Sequence, residues 1–102
     1  RSTLFPYTTL FRSGSWNPII ERYAKHRDAR RLVHDFDAWD QDAHEADLRL
    51  QFLQVAIEAL ISDGHRRKAR ALLDKMGRIA ADTGNEQAFA SYKASIDVRL
   101  DG

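Results

Sequence analysis

The chain has 102 residues, enough for one small domain, with 16 basic and 15 acidic residues and no cysteine. Without cysteine there is no disulfide framework, no thiolate metal site and no cysteine nucleophile, and a cytoplasmic location is the expectation. No apolar run approaches the roughly 18 residues that span a bilayer, so a soluble chain with no membrane partner is the expectation. Alanine is common while isoleucine and valine are few, which favours helix over sheet.

Arg1 to Ser13 reads RSTLFPYTTLFRS, follows no helical period and is interrupted by Pro6. Over all thirteen residues it resembles the translation of a short-read sequencing adapter, a contaminant at the ends of metagenomic protein sequences. The resemblance implies that residues 1–13 are not native and that residues 14–102 are a single helical domain, truncated at its N-terminus. Leaving out Arg1 and Arg12 takes the basic count from 16 to 14 against 15 acids, so the net charge becomes −1 instead of +1. A nucleic-acid partner therefore cannot be argued from overall charge.

Four helices are expected in an all-α bundle. Asn17-Pro18 opens the first, because Asn can cap and Pro suits the first helical position. Apolar residues recur at Ile19, Ile20, Tyr23 and Ala24, and again at Leu32, Val33, Phe36 and Trp39, separated by the polar run KHRDARR. One helix over about 18–39 with a solvated middle is the expectation, two short helices broken near Asp28 being the alternative. Residues 35–47 then hold six acids and no Lys or Arg. They do not form a calcium loop, since Trp39 falls at a ligand position and Asp40 where the turn glycine belongs. Acids before and inside the first turn of the next helix favour its positive end. His34 and His44 do not share a helical face, so no metal site is expected.

The second helix, over about 46–63, has apolar residues around most of its circumference and only a narrow wet strip at Arg49, Gln51, Gln54 and Glu58. It is the expected centre of the core. Asp63-Gly64 ends it. The third, over about 65–82, carries one stripe: Ala69, Leu72, Leu73, Met76, Ile79 and Ala80. Gly77 inside it costs roughly 1 kcal/mol relative to Ala, as a close helix crossing would require. Thr83-Gly84-Asn85 repeats the punctuation, and the fourth helix, about 86–100, shows Phe89, Tyr92, Ile96 and Leu100 on one face. Connections this short make the last three helices antiparallel neighbours.

Leu53, Leu60, Gly64, Ala69 and Leu73 follow the spacing of a tetratricopeptide-type helix pair, and residues 50–83 resemble one such unit. Its small alanine lets two helices approach while large residues fill the groove beside it. Ile57 replaces a usual small residue and Ala81 the closing proline, so the resemblance is to one helix pair and not to an array. It implies partner or peptide binding between helices, with no cofactor.

The most unusual local feature is the basic cluster Arg66, Arg67, Lys68 and Arg70 at a helix start, where cations oppose the macrodipole. The cluster is expected to lie beside the C-terminus of the preceding helix, near Glu58 and Asp63. As a functional site it would contact an anion or a phosphate. Ala80, Gly84 and Ala90 have helix-turn-helix spacing, but the next helix opens Glu86-Gln87-Ala88, which is not a basic recognition helix. Ser62, Asp63 and His65 are neighbours without the marks of a catalytic triad. The function expected is a helical protein-interaction or regulatory module without catalytic activity. The alternative is a small nucleic-acid-associated regulator using residues 66–70.

Overall fold

In the computed structural model the described residues are 16–42 and 44–101. The adapter-like segment 1–13 lies outside them. The described residues form five α-helices: α1 (Asn17–His26), α2 (Ala29–Trp39), α3 (Ala46–Ser62), α4 (Arg66–Asp82) and α5 (Glu86–Asp101). The bundle is all-helical, as expected, with one correction: the expected helix over 18–39 is two helices.

The break falls at Arg27 and Asp28. Arg27 turns into the left-handed region at φ 54°, ψ 34°, while the Asp28 side chain caps α2 by accepting from the Arg31 N–H. A non-glycine residue pays about 1 kcal/mol for that conformation. Three hydrogen bonds hold Arg27 in it: its N–H donates to the Tyr23 carbonyl at 2.7 Å, its Nε to the Ala24 carbonyl at 3.1 Å, and its Nη1 to Asp63 Oδ1 at 2.7 Å. At the start of α1, Asn17 does not cap. It is the first helical residue, and its side chain donates to Glu21 at 3.1 Å. Trp16 precedes it and is buried.

The turns that end α3 and α4 are built alike. Gly64 (φ 84°) and Gly84 (φ 75°) both take the left-handed conformation. In each turn the residue after the glycine donates backward across five positions, His65 N–H to the Leu60 carbonyl and Asn85 N–H to the Ala80 carbonyl, both at 2.8 Å. These are Schellman closures, and they fold α3, α4 and α5 into an antiparallel meander.

α3 is the centre. Phe52, Leu53, Ala56, Ile57 and Leu60 are fully buried, and α3 packs most extensively against α4. Its other side receives the aromatic residues of the N-terminal helices. Trp16 stacks on Phe52 at 5.4 Å between centroids, and Phe36 and Trp39 each meet Phe52 edge-on at 5.1 Å. Gln51, expected on a wet strip, is instead buried at 5% exposure, so the water-facing side of α3 is narrower than the sequence suggests. The whole expected stripe of α4 is buried. On α5, Ile96 and Leu100 are buried, while Phe89 and Tyr92 are partly so. Gly77 earns its place here, because a Cβ on it would lie 3.0 Å from the Phe89 ring.

Candidate interaction surfaces

Two surfaces stand out on this frame: the basic turn between α3 and α4, and a groove between α3, α4 and α5. Arg66 and Arg70 of the turn find partners other than the expected Glu58 and Asp63. Arg66 Nη1 donates to the Leu100 carbonyl at 3.2 Å, and Arg70 pairs with Asp97 at 3.4 Å and Asp101 at 3.5 Å. Two of the cluster's cations, Arg66 and Arg70, thus meet the C-terminus of α5 and satisfy the negative end of the last helix. Glu58 and Asp63, the expected neighbours, have other partners. Glu58 accepts from Tyr92 at 3.1 Å and from Arg99 at 2.5 Å. Arg67 and Lys68 form no ion pair with another described residue. The residues from Gly64 to Lys68 line a shallow depression of about 420 Å³ over the start of α4, whose N-cap residue, His65, supplies no side-chain cap.

Asp63 is the polar junction of the fold. Its Oδ2 accepts from the Tyr23 hydroxyl at 2.5 Å and its Oδ1 from Arg27 at 2.7 Å. The hydrogen bond from Tyr23 holds the carboxyl below the usual carboxylate range, with Arg27 and His65 acting in the same direction against burial. Tyr23 responds in the opposite sense. Burial, then the hydrogen bond and charge of Asp63, push its hydroxyl up to about 12. With both oxygens engaged, Asp63 does not orient His65, and the neighbours Ser62, Asp63 and His65 do not assemble a triad.

Of the six acids of 35–47, Asp35, Asp37 and Asp40 pair with cations, and all but one of those cations come from other elements. Asp35 takes Arg22 at 2.9 Å and Arg31 at 3.0 Å, Asp37 takes Lys75 at 3.1 Å, and Asp40 holds Arg49 through two bonds of 2.7 and 3.0 Å. Burial alone would raise Asp35, but the two arginines hold it below its ordinary range. Only Asp47 lies in the first turn of α3, with Glu45 at its N-cap, so the expected helix-end role belongs to those two. His34 is exposed on α2, whereas His44 stacks on Trp39 at 3.8 Å and hydrogen-bonds its carbonyl at 2.9 Å. Among the described residues no three His, Asp or Glu side chains gather as metal ligands.

No family model, curated protein or solved structure matches the chain. The function must be read from its own surfaces.

The groove is the feature that sequence reasoning missed. It holds about 360 Å³ and is walled by Leu50 of α3, Met76 and Ala80 of α4, and Phe89 and Tyr92 of α5, with Asp47, Gln54 and Asn85 at its rim. Its signal was present in the sequence as Leu50 on the mostly apolar circumference of α3 and Phe89 on the face of α5. Periodicity marks both as apolar and does not distinguish a residue in the core from one half-open in a groove. A second cleft, of about 520 Å³ between α1 and α2, is polar and lined by Arg22, His26, Asp28, Arg31 and Asp35. Its carboxylates are already engaged: Asp28 caps α2 and Asp35 pairs with the two arginines.

Proposed function

We propose that the chain is a helical protein-interaction module that acts by binding, without catalysis, and that its partner presents the apolar face of an amphipathic helix to the groove between α3, α4 and α5. The observation that carries this reading is the composition of the groove: a thioether, two aromatic rings and a leucine from three helices, bordered by polar groups. Helix-in-groove recognition uses such a lining, with apolar anchors at helical spacing set into a trough and a polar rim fixing register. The flexible Met76 and the half-buried Phe89 can adjust to the anchors. Asp47 is the charged group at the rim, so the partner helix carries a Lys or Arg beside its apolar face. The tetratricopeptide-like spacing of Leu53, Leu60, Gly64, Ala69 and Leu73 supports the same reading.

Selection from a displayed library of amphipathic helical peptides tests it. The intact chain should enrich peptides with apolar anchors and a flanking cation. A variant blocked at Ala88 of α5, which also lines the groove, Ala88→Trp, should lose them while keeping its helical circular dichroism. Enrichment that survives in the blocked variant, or no enrichment by the intact chain, would sink the groove as the binding site.

A further inference from the structure

The α1–α2 turn and the α3–α4 turn lie far apart in sequence, yet they meet at Asp63, which accepts from Tyr23 and Arg27 across 40 and 36 positions. Their meeting brings two basic segments to one end of the bundle. In residues 25–31 and 63–70 together, eight of fifteen are Lys or Arg. Arg27, Arg31, Arg66 and Arg70 are engaged within the fold, Arg70 by Asp97 and Asp101 at the same end, and the other four are not, among the described residues. The opposite end carries the acidic connection from α2 to α3, where residues 40–47 hold four acids and no Lys or Arg. The helices alternate in direction, so this separation is built by the topology and is invisible in the net charge.

We propose that the basic end is one composite surface that binds the phosphate backbone of a nucleic-acid duplex without reading its sequence, a contact independent of the groove. Lys25, Arg30 and Arg67 are exposed and Lys68 is half-buried, and none of the four forms an ion pair with another described residue, so their charges are available to an outside anion. The first-turn N–H groups of α4 lack a side-chain cap and border the depression beneath Arg67 and Lys68, which adds backbone donors to the cations. Both turns are rigidly fixed, one by the Schellman closure at Gly64 and the other by the Arg27–Asp63 pair. The turns thereby set the backbone positions of the four cations, which suits a regular row of phosphates. Unpaired strands would need exposed rings on which to stack bases, and no aromatic residue among those described is exposed. The acidic end is repelled by the same polyanion, so the molecule approaches it in one orientation.

Fluorescence anisotropy of the full chain with a labelled duplex of about 20 base pairs, titrated from low to moderate salt, tests the proposal. Two double variants are compared, Lys25→Glu with Arg30→Glu and Arg67→Glu with Lys68→Glu, each checked for an unchanged thermal midpoint. Each should weaken binding about tenfold or more and should lower the slope of log affinity against log salt by about 2, since each removes two phosphate contacts. No duplex binding at low salt overturns the proposal. So does an unaffected Lys25/Arg30 variant, which would confine the contact to α4. Equal competition by polyglutamate of matched charge would also overturn it, in favour of an acidic protein partner.

Discussion

Asp63 joins three parts of the chain through one carboxylate, and the protonation of its partners sets how firmly it does so. Its lowered pKa means that it stabilises the fold above the ordinary carboxylate range, a contribution lost as pH falls through its folded value. Tyr23 works from the other side. Its folded pKa is about 12 against an ordinary 10.0, so its contribution is complete below pH 10 and disappears as pH rises toward 12. Tyr92, raised by burial and by Glu58, acts in the same direction. Tyr23→Phe should therefore cost about 1.5–3 kcal/mol at neutral pH, the range for a hydrogen bond to a charged group. Urea unfolding between pH 8 and 12 should show a shallower alkaline loss in this variant than in the parent chain. An identical pH profile would mean that Tyr23 ionises as freely in the fold as out of it.

At the scale of the helices, the meander α3–α4–α5 was legible, whereas the α1–α2 break was legible only as the alternative near Asp28. Gly64 and Gly84 mark helix ends because only glycine takes the left-handed conformation at little cost, and the stripe of α4 has one clear period. The break at Arg27 has no such mark. An arginine occupies the left-handed position and is held there by Asp63, 36 residues away, which no local pattern reveals. The basic cluster was legible as a cluster, but its partner was not, because the choice between the ends of α3 and α5 is made by packing. The burial of Gln51 is likewise a tertiary outcome. The central place of α3 makes a direct prediction: Leu60→Ala, at a fully buried position, should cost about 2–5 kcal/mol. An equilibrium denaturation showing less than roughly 0.5 kcal/mol would place Leu60 at a surface instead.

For the whole molecule, the expectation from the sequence is that residues 1–13 contribute nothing to the fold. Deleting them should move the thermal midpoint by less than about 2 °C in calorimetry. A drop beyond about 5 °C, equivalent to roughly 1 kcal/mol, would show that they are part of it. Extending the deletion through Trp16 is a different matter, since that ring is buried against Phe52; losing it should cost about 3–5 kcal/mol.

The alternation of helix direction has one more consequence. A 17-residue helix such as α4 is about 25 Å long, at 1.5 Å of rise per residue. Electrostatic screening in physiological salt has a length of about 8 Å. The basic and acidic ends are thus some three screening lengths apart, and neither feels the other through solvent. To anything that approaches, this nearly neutral molecule is two separately charged surfaces, and its overall charge balance describes neither of them.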